Sequence, residues 1–260
     1  MKVSHSRIET FKKCPYQFKL RYIDGLSTKF NLDPTNALAL GTAMHEGIEK
    51  DVESAIHSYY SNYPTATPLM INEAIKLEVM VGKAKETLSD LLDRGVFEVE
   101  IDHPDFVGFI DLLVHDEEEP NVYDLYDFKY SNNVENYIES SQLHLYKFFL
   151  EQTRNVKVRN LAFVFIPKVK LKQEENEDLA EYRSRLIEEC EKQEINIVPI
   201  EYDQNKVIDF MLDVKHCIES ESYDKKPQKL CYWCEFKAYC QSDGKLDGSI
   251  IYPKEDEING

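Results

Sequence analysis

Four of the six cysteines form a pattern that only a closed-up fold can satisfy: Cys231-x2-Cys234-x5-Cys240 near the end of the chain, and Cys14, which stands 217 residues upstream of Cys231. Thiolates at this spacing are soft ligands suited to zinc or to an iron-sulfur cluster, and spacing alone does not choose between the two. A site that uses all four must bring the first and last segments of the chain together. Cys190 and Cys217 have no such neighbours and read as ordinary helix cysteines. The opening MKVSHSRIE lacks the apolar stretch of a secretory signal, and the longest apolar run, Leu161–Ile166, is far short of a membrane span. The expected setting is therefore the cytoplasm with no membrane partner, where grouped thiols serve metals rather than disulfides.

A chain of 260 residues with 42% hydrophobic and 12% aromatic content can bury a substantial core. We expect one domain over 1–260, with 1–30 and 221–245 forming a cysteine subregion and 168–193 a charged helical insertion. The net charge of -17 counts against a polyanionic partner until its distribution is read. Residues 1–30 hold seven bases and two acids, so a basic arm sits on an acidic body and DNA remains compatible. A simply solvated surface explains the same charge.

Ser6-Arg-Ile-Glu9 has the form of a capping box and opens an amphipathic segment through Ile8, Phe11, Phe18 and Tyr22, which Cys14-Pro15 interrupts. Helical spacing predicts a helix over 36–60 and another over 72–93. Phe97–Ile101 alternates as a half-buried strand does, and Val107–Val114 and Val122–Tyr130 flank the polar turn 115–121 as a hairpin. A helix over 135–152, a buried strand at Leu161–Ile166, a strand over Ile195–Tyr202 and a helix over Gln204–Ser220 complete the pattern.

The hairpin carries the chemistry. Side chains alternate along a strand, so Asp127 and Lys129 share one face while Tyr126, Phe128 and Tyr130 take the other. Asp111 interrupts the apolar run of the partner strand, and a buried carboxylate needs a compensating cation; a divalent metal shared with Asp127 is one solution. Two acids and a lysine suit phosphodiester hydrolysis with Mg2+ or Mn2+. An ordinary strand pair with a lysine–aspartate contact accounts for a bare D-x-K equally well. Gln142 and Tyr146, four apart on one helix face, and His45 in Gly41-Thr-Ala-Met-His45 add weight through their order along the chain.

Taken with Ser4–Pro15, Gly41–His45, Gly108–Asp111, Asp127–Lys129, Gln142–Tyr146 and Cys231–Cys240, the chain resembles the PD-(D/E)XK nuclease superfamily, in its RecB-like, AddB-like and CRISPR-adaptation-type branch with a C-terminal cysteine cluster. The resemblance implies an α/β fold with a restriction-endonuclease-like mixed central sheet flanked by helices and the termini joined by the cluster. It implies metal ligation by His45, Asp111, Asp127 and the Phe128 carbonyl, a catalytic Lys129, and Gln142 with Tyr146 lining the site. Cys14, Cys231, Cys234 and Cys240 would hold a 4Fe-4S cluster, with zinc as the alternative. The implied activity is metal-dependent hydrolysis of DNA, exonucleolytic on single strands or ends, in recombination, repair or phage DNA metabolism. No GxxxxGK[ST] occurs, so a helicase partner, or a recombination protein, would be a separate polypeptide. The rival readings are a non-catalytic DNA-binding or scaffolding subunit with a nuclease fold, and a zinc-stapled interaction module. Asp127 stands where Glu is commoner in the family. Glu98 or Glu100 would assist near the metal, and alternation puts both on one face without choosing. Tyr232, Trp233, Phe236 and Tyr239 are expected to shield the cluster from water, with stacking on DNA as the less favoured alternative.

Overall fold

The structure, a computed structural model, describes residues 2–245 and 248–252. The chain forms two compact units, a larger one of residues 32–103 and 108–204 and a smaller one of 1–31, 104–107 and 205–260. The segments expected to form the cysteine subregion fall in the smaller unit.

The larger unit is built on a five-stranded sheet of β1 (Gly95–Asp102), β2 (Val107–His115), β3 (Val122–Tyr130), β4 (Lys157–Ile166) and β5 (Asn196–Ile200), in that spatial order. β2 and β3 pair antiparallel, β3 and β4 parallel, β4 and β5 antiparallel. A parallel pair needs a crossover, and the helix Gln142–Thr153 supplies it. This is the mixed, helix-flanked α/β sheet that the sequence implies. Strand alternation sends Leu112, Val114, Phe128 and Tyr130 into one core with helices α1 (Ala37–Glu49), α2 (Val52–Tyr60), α3 (Pro68–Thr87) and, further along, α5 (Leu179–Glu191), α4 being the crossover helix. Asp111 and Asp127, one position off that set in each strand, are left for the opposite face.

Several boundaries depart from expectation, each for a local reason. The helix expected over 36–60 is two, because Asp51 leaves helical geometry and its carboxylate accepts from the Ser54 amide at 2.7 Å, capping α2. α3 starts at Pro68 rather than near 72, with Thr67 as its cap and proline at its first position. The segment over 135–152 divides into a turn at Glu135–Ile138 and α4, which opens at Gln142. The charged insertion is not wholly exposed: α5 buries Tyr182, Leu186 and Cys190 in the main core and leaves its charges outside.

Gly47 allows α1 to approach both neighbouring helices closely. A Cβ there would lie 2.7 Å from Ala55 Cβ and 2.7 Å from a methyl of Val81, whose second methyl is at 3.0 Å. Rotating Val81 gives no relief and Ala55 has nothing to rotate, so the clash outweighs the ~1 kcal/mol of helix propensity that alanine would add. Gly47→Ala is expected to lower stability by about 1–3 kcal/mol in urea unfolding, and an unchanged midpoint would refute the close packing.

In the smaller unit the helix His5–Lys13 is capped by Ser4, not by Ser6 as the capping-box pattern suggests; Ser4 Oγ accepts from the Arg7 amide at 3.3 Å. Cys14 ends that helix in extended geometry and Pro15 opens the next turn, as a proline's missing N–H dictates. Phe11, Phe18 and Tyr223 pack ring against ring, and Ile250–Ile251 pairs antiparallel with Ser27–Thr28. First and last segments of the chain thus share one unit.

Candidate active site

The β2–β3 ladder runs from His115–Tyr123 to Leu112–Tyr126. One step beyond it, the Phe128 amide donates to Asp111 Oδ2 at 2.6 Å, so the carboxylate is fixed by the neighbouring strand's backbone. His45 reaches over from α1: its Nε2–H donates to the Phe128 carbonyl at 3.0 Å, and its Nδ1 lies 3.5 Å from Asp111 Oδ1. Glu98 joins them from β1. Strict alternation leaves Glu98 and Glu100 equivalent, and the burial of the strand keeps that alternation; Glu98 differs in adopting φ +49, a left-handed conformation rare outside glycine. Ligand atoms of His45, Glu98 and Asp111 all lie within 4.8 Å of one another, the one such trio among the described residues. The signal for Glu98 was backbone strain, which a sequence does not display.

Asp127 is 1% exposed. Its Oδ1 accepts from Gln142 Nε2 at 2.8 Å, and the same amide group lies 3.1 Å from the Tyr146 hydroxyl, so the helix-face pair does converge on the hairpin. Asp127 Oδ2 is buried against the Lys129 ammonium, which pairs with it directly. Lys129 lies over the rings of Tyr137 and Phe163, at 5.3 and 5.5 Å from their centroids. The structure therefore assembles His45, Asp111, Asp127, Phe128, Lys129, Gln142 and Tyr146 at one place and adds Glu98.

The charges are unbalanced in a way that suits a cation. Burial, then the Asp111 charge, pushes Asp127 up to about 6 against the opposing pull of Lys129. Burial and Asp111 likewise raise Glu98. Burial draws the His45 and Lys129 cations down, yet Asp111 for the one and both aspartates for the other outweigh it, and both end raised. The three clustered ligand side chains, with the Asp127 carboxylate charge-coupled to them, are a donor set of hard oxygens and one imidazole that fits Mg2+ or Mn2+.

Because the folded pKa of Asp127 exceeds its unfolded value of 3.8, the metal-free fold is penalised increasingly as pH rises through that interval, and fully above about 6. A cation relieves the penalty only where the carboxylates have lost their protons. The gain in Tm on adding Mn2+ is therefore expected to be larger at pH about 8 than at pH about 5. An equal gain at both would contradict this charge balance.

In the smaller unit, Cys14, Cys231, Cys234 and Cys240 line one cavity of about 590 Å³ together with Leu20 and Phe236. The Gln228 amide donates to Cys231 Sγ at 3.3 Å. Burial raises the thiols of Cys234 and Cys240, and the proximity of Cys14 and Cys231 raises them further. The sulfurs do not gather as the carboxylate site does: no three lie mutually within 4.8 Å, whereas tetrahedral zinc holds thiolates about 3.8 Å apart. Cys190 and Cys217 are buried elsewhere in helices.

A family model of the PD-(D/E)XK nuclease superfamily matches residues 2–241, nearly the whole chain. The protein belongs to the PD-(D/E)XK nuclease superfamily. Among solved structures, a candidate exonuclease from Eubacterium rectale aligns over 100% of this chain and 93% of its own, with 11% identity and a TM-score of 0.57, a similarity of fold. The structure of SSO0001 aligns over 93% of this chain and 86% of its own at 10% identity and a TM-score of 0.42. No curated protein matches the sequence. No helix among the described residues is long and apolar enough to cross a membrane.

Proposed function

We propose that the protein is a RecB-like, metal-dependent deoxyribonuclease that removes nucleotides from single strands or DNA ends, in recombination, repair or phage DNA metabolism, alongside a helicase or recombination protein on a separate polypeptide. The observation that carries the reading is the clustering of His45, Glu98 and Asp111 ligand atoms, charge-coupled to the buried Asp127–Lys129 pair. Asp111, Asp127, Glu98 and His45 are the residues that would hold Mg2+ or Mn2+. The chemistry such a cation supplies is polarisation of a phosphoryl oxygen and a lowered pKa for a bound water.

The chain's own groups do the rest. Gln142 fixes the rotamer of Asp127 by occupying Oδ1, and Phe128 N–H fixes Asp111, so neither acid has to be ordered when substrate arrives. Lys129 keeps its proton, and its ammonium is placed to orient the attacking water and to offset charge growing on the phosphate. The exonucleolytic mode is consistent with the name of the Eubacterium rectale neighbour. For the four cysteines we infer a 4Fe-4S cluster, with zinc as the alternative, on the ground that the four thiols line one cavity.

Digestion of end-labelled linear DNA and of a covalently closed circle, single- and double-stranded, tests the activity with Mg2+ or Mn2+ and with Asp111→Ala as control. Terminal nucleotides released from linear DNA with circles intact are expected. No metal-dependent cleavage, or cleavage undiminished in Asp111→Ala, would overturn the reading in favour of a non-catalytic subunit.

A further inference from the structure

The four aromatic residues around the C-terminal cysteines do not act together as a water shield. Phe236 is 1% exposed and forms a small core with Leu20 and Leu26, against which Tyr239 packs. Tyr232 and Trp233 are on the outside, 66% and 81% exposed, with rings edge to face at 4.8 Å. Trp233 is the single tryptophan of the chain and the most exposed large hydrophobic side chain among the described residues. The two rings lie between Cys231, whose sulfur accepts from the Gln228 amide, and Cys234, which packs against the Leu20–Leu26–Phe236 core. Large aromatic faces left in water mark a binding surface.

Their surroundings run against the charge of the whole. In a chain of net charge -17, residues 225–241 carry four lysines and one glutamate. That glutamate, Glu235, is taken by Arg21. The Lys237 ammonium lies 4.4 Å over the Tyr232 ring, and among the described residues Lys13, Lys229 and Lys237 have no carboxylate partner, whereas nearby Lys225 pairs with Asp243.

We propose that Tyr232 and Trp233, with Lys13, Lys229 and Lys237, form a docking surface for unpaired DNA, bases stacking on the rings and phosphates meeting the ammonium groups. Rings and charges are both needed by this occupant: every base offers a π-face once it is unstacked, and the backbone beside it is anionic. A duplex hides its base faces and offers only the phosphates. An apolar protein segment would use the rings and leave the three lysines without a counter-charge. The choice of DNA as the polymer rests on the nuclease reading; the surface itself does not.

The full-length protein, with its cysteine-bound metal and without added divalent cation, is titrated with oligothymidine while Trp233 fluorescence is followed. Saturable quenching is expected, with log affinity falling against log salt at a slope of about -2 for three single-strand contacts, and little quenching by duplex of equal length. By anisotropy of a labelled oligonucleotide, Trp233→Ala is expected to bind about tenfold more weakly or worse, Trp233→Phe near wild type, and Lys229→Glu with a shallower salt slope. All three variants should hydrolyse a small phosphodiester, bis(p-nitrophenyl) phosphate, at the wild-type rate with Mn2+, so this surface can fail while the nuclease reading stands, and the reverse. Absence of quenching, unchanged affinity in Trp233→Ala, or quenching that tracks protein concentration without DNA, as a second copy on the patch would give, each overturns the proposal.

Discussion

Lys129→Met is expected to lower DNA cleavage by about 10²–10⁴-fold while leaving the protein folded. Methionine keeps an unbranched apolar side chain of similar length, so the substitution removes the ammonium and its contacts over the Tyr137 and Phe163 rings while still filling the space. What is lost is the cation beside Asp127 Oδ2, the group that counters both buried aspartates. The same loss should appear without any substrate. Burial and Asp111 already push Asp127 up to about 6, and with Lys129 gone the strongest opposing pull is lost. The variant's Asp127 therefore holds its proton to higher pH, and Mn2+ affinity should fall most steeply near neutrality and recover in alkaline buffer. Isothermal titration of Mn2+ across pH separates this from a packing defect, which would weaken binding equally at every pH. Cleavage within a few fold of wild type would remove Lys129 from the mechanism.

How much of this was legible in the sequence follows from the range of each interaction. The hairpin of β2 and β3 could be read to within a residue, because alternation and a breaker-rich turn are local and Asp111, Asp127 and Lys129 then follow from parity. The convergence of Gln142 and Tyr146 was legible for the same reason, through helical spacing. Glu98 was not, since its selection depends on a left-handed φ that tertiary packing imposes on a strand. The split at Asp51 was a capping signal outweighed by an uninterrupted apolar period on both sides. Residues 168–193 misled through composition: the charge of α5 concealed three buried positions at helical spacing, Tyr182, Leu186 and Cys190. The four aromatics by the cysteines were indistinguishable by type, and only their burial divides Phe236 from Trp233.

On the cluster proposed for the four cysteines, Cys234→Ser is expected to abolish metal binding and to open the segment that carries them. The buried cluster beneath that segment consists of Leu20, Leu26 and Phe236, with Tyr16, Cys234, Tyr239 and Ile250 packed against it. At roughly 25 cal/mol per Å² of apolar area, so few side chains supply only several kcal/mol, less than the ordering of some twenty residues costs at about 1–2 kcal/mol each. Structural thiolate sites contribute about 10–16 kcal/mol in the best-measured zinc cases, more than this small core supplies. Losing one ligand of four removes most of it. Cys217→Ser is the control, since Cys217 is a thiol even more buried than half-buried Cys234 but lies on the helix Gln204–Glu219 and does not line the cavity. Iron and zinc analysis of anaerobically purified protein should show a full complement in wild type and Cys217→Ser and almost none in Cys234→Ser, with visible absorption deciding for the iron-sulfur cluster over zinc. Limited proteolysis should cut Cys234→Ser within residues 225–241 and spare the control. A Cys234→Ser protein that keeps its metal and resists the protease as wild type does would show that the cysteines are not the staple, and that the small core holds the segment unaided.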